Sequence, residues 1–248
     1  MSMREEPELS ISKKQADCAV RAVGFLGLVV VFFSLQSATV RPLGTRLSLS
    51  TGITPLIGLE LARSKGDLEQ FFGEVGSANR NLIAGRSAMP GVDFFSGWML
   101  FLFGLRELMP TFRPRMGEAR FWIFVLLCFT AFAESQTIAR MAEAAGASSV
   151  TDALVSAIRQ MSLSKWALLF FNTMQCSSIF LRTPLLLRVG GGILWASSVL
   201  GVVAIAYPDY QWLAGPAVLG LFVGLCGITV LFLVQPGLFY ADTKGKTA

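Results

Sequence analysis

The sequence predicts an all-α, polytopic membrane protein of about six transmembrane helices with a long helical outer loop. Of its 248 residues, 53% are hydrophobic and only 15% are charged, and the mean hydropathy is +0.59. A soluble domain has about a quarter of its residues charged, so this apolar excess indicates a lipid environment. No segment alternates with a period of two, and backbone in hydrocarbon must satisfy its own hydrogen bonds, so helices are favoured over a barrel.

Apolar runs of about 20 residues, the length that crosses a bilayer, place the predicted spans. They fall at 19–38, 88–108, 121–141, 163–181, 189–206 and 213–234, and the second and fourth carry the most polar residues. The charged lead before the first span resembles a secretory signal, but it mixes acids with bases. A cut after Ala38 would also put Gln36 where a small residue is needed, so we expect an uncleaved first span.

The long loop after the first span, 39–87, is predicted to be helical. One amphipathic stretch has Glu60 and Arg63 on its polar face. A second has Leu68 and Phe72 on its apolar face and Asp67 on the opposite one. Two short helices on the outer surface of the membrane fit this pattern.

The chain divides into four parts. Residues 1–18 form an N-terminal tail, 19–182 a four-span core that includes the outer loop, 183–236 a glycine-rich transmembrane hairpin, and 237–248 a C-terminal tail. Gly220 and Gly224 in the hairpin form a GxxxG pair, which permits close helix packing within the chain or with another subunit.

Basic residues set the predicted orientation. With six spans both termini lie on one side, and that side holds most of the basic residues of the tails and short connections. The net charge of +5 follows from this bias, and no basic cluster interleaved with aromatic residues indicates nucleic acid. The positive-inside rule places both tails in the cytoplasm, and we expect the inner membrane of a bacterium.

One carboxylate, Glu134, lies well inside the third span, in the stretch FWIFVLLCFTAFAESQTIA. In the predicted topology, Asp93 of the second span and Lys165 of the fourth share its depth in the outer leaflet. A carboxylate alone at that depth would cost on the order of several kcal/mol or stay protonated. Lys165 is therefore the expected partner of Glu134, with Arg86 as another. Two acids and one lysine leave room for a proton, a coupling cation or a cationic ligand.

Asn172 and Gln175, deeper in the fourth span, extend this predicted polar track. The alternative interpretation of all these residues is structural, because polar groups in spans also form interhelical hydrogen bonds that often contribute under ~1 kcal/mol. Asp93 can be hydrated near the interface, and Lys165 can extend its ammonium group to the interface.

Several chemistries lack support in the sequence. The chain has no histidine, which excludes histidine-held haem, histidine zinc sites and histidine general bases. Its four cysteines stand alone, so no metal, redox pair or other cofactor is predicted. Ser162 and Lys165 form a serine–lysine pair without any further sign of an activated nucleophile.

Four short motifs, LELARSKGDLEQFFGEVG, VDFFSGWMLFLFGL, FTAFAES and SLSKWALLFF, cover about residues 55–171. In this order they resemble a family of small uncharacterised bacterial multi-pass membrane proteins. That family carries a leucine-rich outer segment, an Asp-Phe pair opening the second span, a Glu-Asn step in the third and Lys-Trp opening the fourth. Here the Glu-Asn step reads Glu134-Ser135. The resemblance implies no activity, and it marks Asp93, Glu134, Lys165 and Trp166 as the residues to test.

The leading functional hypothesis is a binding or transport-type protein with an outward-facing polar pocket formed by Asp93, Glu134 and Lys165. Its expected surroundings are the lipid bilayer. The alternative is an accessory or scaffold subunit that packs on other membrane subunits through the last hairpin. A membrane enzyme acting on a lipid or an isoprenoid ranks last, because the sequence has no paired-aspartate metal motif, no histidine and no evident nucleophile.

Overall fold

The computed structural model describes residues 13–39, 60, 62–84, 92–112 and 117–239, and every regular element in these ranges is helical. The α-helices are, in chain order, α1 (Lys13–Thr39), α2 (Lys65–Phe72), α3 (Ala78–Ala84), α4 (Val92–Phe112), α5 (Gly117–Gly146), α6 (Asp152–Ser177), α7 (Leu185–Ala206) and α8 (Ala214–Val234). Short 3-10 helices follow the last three at Ser178–Arg182, Pro208–Leu213 and Pro236–Phe239. The predicted all-α class is confirmed.

Four helices of the described residues are long and apolar enough to cross a membrane. They are Lys13–Phe32 within α1, Arg120–Gly146 within α5, and the whole of α7 and α8. The sequence predicted six such helices, so the prediction is confirmed in part: within the described residues its second and fourth spans do not meet this criterion. These two correspond to α4 and α6.

The polar content of α4 and α6 explains the difference. Within its 21 residues α4 carries Asp93, Arg106 and Glu107. The apolar run of α6 is broken by Lys165 and Asn172. Neither helix therefore presents a continuous apolar segment of membrane-spanning length.

The six long helices close into a ring. Each packs against the next in chain order, from α1 to α4, α5, α6, α7 and α8, and α8 packs against α1. α4 also contacts α6, its second neighbour in the ring. There the indole nitrogen of Trp98 donates a hydrogen bond to Thr173 Oγ1 at 3.0 Å. Trp98, Phe101 and Lys165 are among the largest fully buried side chains. On α4 and α6 these three large side chains are thus shielded by the neighbouring helices.

The outside of the ring is apolar. Phe25, Phe129, Phe132 and Leu219 are each more than half exposed. Water-soluble monomers rarely expose extended apolar surface, so this exterior is suited to lipid.

The helices α2 and α3 pack on the ends of α5 and α6. With 30 residues, α5 is about 45 Å long, which exceeds the ~30 Å hydrocarbon core of a bilayer. Its C-terminal end, the N-terminal end of α6 and residues 62–84 share a second core that includes Leu68, Phe72, Ile83, Met141 and Ile158. We term this unit the outer lobe, after the outer loop that the sequence predicts for residues 39–87.

Two sets of local hydrogen bonds stabilise the outer lobe. Ser64 and Asp67 form a capping box at the start of α2. The buried Arg80 donates hydrogen bonds to the carbonyls of Ala145 at 2.8 Å and Ala147 at 2.7 Å, where α5 ends and its carbonyls lack helical partners. The second predicted amphipathic stretch is therefore confirmed as α2. The first lies mostly outside the described residues.

The two glycines of the predicted GxxxG pair lie at a contact between two helices of this chain. A Cβ on Gly220 would stand 2.1 Å from Ser197 Oγ, and one on Gly224 would stand 2.9 Å from Leu194 and 3.2 Å from the Gly190 carbonyl. Both glycines therefore give α7 room to approach α8 closely. Of the two alternatives, packing within the chain or packing with another subunit, the contacts match packing within the chain.

Candidate functional site

Glu134 and Lys165 meet, as the sequence predicts. Glu134 lies in the C-terminal half of α5 and Lys165 near the middle of α6, and these two helices are antiparallel neighbours. Lys165 Nζ lies 2.7 Å from Glu134 Oε2. The carboxylate inside an apolar helix is thus matched by an ammonium group from the next helix along the chain.

A second carboxylate, Glu60, shares the same lysine. Glu60 Oε1 accepts a hydrogen bond from Lys165 Nζ at 2.5 Å, and its other oxygen accepts one from the indole nitrogen of Trp166. The sequence predicted Glu60 on the water-facing side of an amphipathic helix, and this prediction is wrong because Glu60 is 4% exposed. The two adjacent residues Lys165 and Trp166 hold both of its oxygens.

Glu60, Glu134 and Lys165 will be termed the carboxylate–lysine cluster. Two carboxylates share one ammonium group, so in its fully ionised form the cluster carries one negative charge in excess. The side chain of Lys165 is 2% exposed, that of Glu60 6% and that of Glu134 12%. Glu134 is therefore the member with the most direct access to the surroundings.

The two acids differ in how many donors hold them. Glu60 is held by two, Lys165 Nζ on one oxygen and the Trp166 indole nitrogen on the other. For Glu134 the donor in place is Lys165 Nζ, beside Oε2. Because each hydrogen bond to a carboxylate adds to its hold, Glu134 is the carboxylate with fewer fixed contacts among the described side chains.

Aromatic rings complete the walls of the cluster. Lys165 Nζ lies 5.1 Å from the ring centre of Phe95 on α4 and 5.2 Å from that of Trp166. The faces of these rings attract a cation, which adds to the hold on the ammonium group. The cluster therefore draws on α4, α5, α6 and the residue Glu60 that precedes α2.

Of the two deeper polar residues of α6, Asn172 lies near the cluster and Gln175 does not. Asn172 Nδ2 donates a hydrogen bond to Thr130 Oγ1 at 3.1 Å, which joins α5 and α6 one helical turn from Glu134. Asn172 Oδ1 is buried, and none of the described residues donates a hydrogen bond to it. Gln175 is half-buried and stands ten residues beyond Lys165, about 15 Å along α6. It lies apart from the cluster.

Two further predicted residues cannot be placed in it. The backbone of Asp93 lies in the first turn of α4, two residues before Phe95, and its side chain is outside what the structure describes. Arg86 lies outside the described residues. Within the described part of the chain, no group of three histidine, cysteine or acidic side chains could hold a metal ion.

The fold and the cluster define a class: an all-α chain with four apolar helices of membrane-spanning length and a buried carboxylate–lysine cluster beneath an outer lobe. Comparisons of the chain with protein-family models, with curated proteins and with solved structures give no match. The resemblance carried by the four short motifs therefore stays a prediction.

Proposed function

We propose that this chain is an integral membrane protein of the ion-binding or transport type, in which the carboxylate–lysine cluster takes up and releases a proton or a small cation. The observation that carries the proposal is the sharing of one ammonium group by two buried carboxylates. A site with one excess negative charge in a low-dielectric environment favours the arrival of one positive charge.

Glu134 is the proposed point of exchange. It is the most exposed member of the cluster, and Lys165 is the donor that holds it, whereas Glu60 is held by two donors. Glu60 is held by both Lys165 and Trp166. It therefore keeps the ammonium group in place while Glu134 binds and releases a proton or a cation. A proton on Glu134, or a cation beside it, leaves the Glu60–Lys165 pair intact.

The setting supports an intramembrane location. We propose that α4 and α6 also lie in the membrane, because the ring of helices shields Lys165, Asn172 and Trp98 from its exterior. Together with the four apolar helices they make the six spans that the sequence predicts. The distribution of basic residues then supports cytoplasmic tails in a bacterial inner membrane, with the outer lobe on the opposite side.

The Thr130–Asn172 pair supports a transport-type role over simple storage of charge. It continues the polar interface of α5 and α6 about 10 Å along α6 from Lys165. The free acceptor of Asn172 Oδ1 can receive a hydrogen bond from a hydrated ion or from water. Passage of an ion requires a continuous series of polar groups along the helices, and the Thr130–Asn172 pair extends the series beyond the cluster.

The two other functional classes have weaker support. The scaffold hypothesis rested on Gly220 and Gly224, and the space that these glycines leave is occupied by α7. The enzyme hypothesis needs an activated nucleophile, yet the buried Ser162 Oγ has no hydrogen-bond partner among the described residues and Lys165 is held by two acids. A lysine held in this way is not available as a general base.

The test compares Glu134→Gln with a matched control on the same helix, Glu143→Gln. Glu143 is exposed and paired with Arg140, so its loss removes the same charge outside the cluster. Purified protein is melted from about pH 5 to about pH 9 in sodium, potassium or choline chloride at constant ionic strength. We expect the parent and Glu143→Gln to show a pH- or cation-dependent melting temperature that Glu134→Gln has lost. Identical profiles for all three proteins would refute exchange at Glu134.

A further inference from the structure

A second charged cluster lies at the other end of α5. Arg106, near the end of α4, and Arg120, in the first turn of α5, both contact the carboxylate of Glu107. Arg106 Nε also donates a hydrogen bond to the backbone carbonyl of Arg120 at 2.9 Å. These contacts hold the two guanidinium groups side by side, where α4 and α5 meet.

Counted over the described side chains, this arginine pair carries one positive charge in excess. Two guanidinium groups share the single carboxylate of Glu107, which is the reverse of the balance in the carboxylate–lysine cluster. Arg120 Nε is buried, and no described residue accepts a hydrogen bond from it. Because a buried donor without a partner is unfavourable, the pair is poised for an additional acceptor with negative charge.

The surroundings of the pair are apolar and exposed. The guanidinium carbon of Arg106 lies 5.4 Å from the ring centre of Phe103 and 4.8 Å from that of Phe124. Both rings, and that of Phe121, belong to the exposed apolar exterior of the bundle. Arg120 is the first residue of the apolar segment of α5 that can cross a membrane. In the membrane placement proposed above, which this inference takes as its basis, the pair lies at the boundary between head groups and acyl chains.

We propose that Arg106 and Arg120 form a binding site for the phosphate group of an anionic phospholipid. Guanidinium groups match phosphate oxygens with paired hydrogen bonds, and basic residues at a membrane boundary attract anionic lipids. Phe103, Phe121 and Phe124 offer the adjacent apolar surface for the acyl chains. A lipid satisfies both surfaces at once, whereas a free phosphate ion satisfies only the arginines.

The site is independent of the proposed ion exchange. Arg120 precedes Glu134 by 14 residues, which is about 21 Å along α5. Loss of the lipid site therefore leaves the carboxylate–lysine cluster in place, and the two proposals can fail separately.

The test measures lipid binding to the purified full-length chain by native mass spectrometry, together with the melting temperature. The probes are phosphatidylglycerol, phosphatidylcholine and inorganic phosphate. The test variant is Arg106→Gln combined with Arg120→Gln. The control combines Arg159→Gln with Arg188→Gln, which removes the same charge elsewhere on the chain.

We expect phosphatidylglycerol to stay bound to the parent and the control and to raise their melting temperatures above those in phosphatidylcholine. In the test variant, retained phosphatidylglycerol should fall several-fold and the gain in melting temperature should vanish. Equal losses in the control and the test variant would show general attraction to the membrane and overturn the site. Equal stabilisation by inorganic phosphate would overturn the lipid as its ligand.

Glu107→Gln provides a second measurement if the double variant does not fold. It removes the carboxylate that competes for both guanidinium groups, so phosphatidylglycerol retention should equal or exceed that of the parent. A fall to the level seen with phosphatidylcholine would contradict the proposal, because it would show that Glu107 and not a phosphate completes the pair.

Discussion

Lys165 Nζ and Glu60 Oε1 lie 2.5 Å apart although the two residues are 105 positions apart in the chain. This contact joins the residue that leads into the outer lobe to the core of the ring. It also leaves Glu134 as a second acid beside the same ammonium group. The stability of the outer lobe and the charge state of the buried cluster therefore depend on one lysine.

Replacement of Glu60 by glutamine should destabilise the protein by about 1–3 kcal/mol, because Lys165 and Trp166 both lose a charged acceptor. The control is Glu69→Gln, whose ion pair with Lys65 is close to half exposed on both sides. That variant should stay within about 0.5 kcal/mol of the parent. Chemical unfolding of the purified proteins measures both, and equal effects would show that Glu60 is a surface residue.

Replacement of Lys165 by methionine should destabilise the protein by about 3–5 kcal/mol at neutral pH, because it strands two like charges in a buried site. The folded variant should then bind a proton that the unfolded chain releases, since protonation of one acid removes the repulsion. Because the folded state binds more protons, stability should rise as pH falls through the neutral range.

The control for Lys165→Met is a double variant. Adding Glu134→Gln to Lys165→Met removes one of the stranded charges, so stability at neutral pH should recover in part and its dependence on pH should flatten. Thermal melts of the single and double variants across pH measure this. A double variant less stable than Lys165→Met at neutral pH would mean that the two acids do not repel each other.

Replacement of Gly220 by leucine should destabilise the protein by about 1–3 kcal/mol, because the added Cβ would overlap Ser197 Oγ at 2.1 Å. Gly227→Leu is the matched control on the same helix, since a Cβ at Gly227 meets nothing within 4 Å. Denaturant or thermal unfolding compares the two. If Gly227→Leu is the more damaging variant, the close contact of α7 and α8 through Gly220 is wrong.

The proposed orientation predicts the activity of topology reporters. A reporter that works only in the cytoplasm should be active when fused after Ala248 and silent when inserted near Asp67 in the outer lobe. The physical reason is the concentration of basic residues on the side of the tails. Activity near Asp67 with silence after Ala248 would reverse the orientation and place the carboxylate–lysine cluster toward the cytoplasm.

The sequence by itself determined the helical class and two of the three members of the cluster, Glu134 and Lys165. Composition and the lengths of apolar runs require helices, because backbone in hydrocarbon has no other partner for its hydrogen bonds. Glu134 and Lys165 could be paired from the sequence, because a buried acid needs a base at the same depth and antiparallel neighbours place equal depths side by side. The residues of α2 could be predicted from their amphipathic pattern.

Only the tertiary structure decided that Glu60 belongs to the cluster. Periodicity assigns a charged residue of an amphipathic helix to water, and no local pattern reveals that a lysine and an indole 105 and 106 positions away replace that water. Mutual shielding of α4 and α6 is likewise a property of the ring, since hydropathy measures each helix alone. The packing of α7 on Gly220 and Gly224 also required the structure, because a GxxxG pair permits close contact with a helix of the same chain or with one of another subunit. In each case the deciding contact joins residues distant in sequence, and the free energy of such contacts is absent from any local pattern.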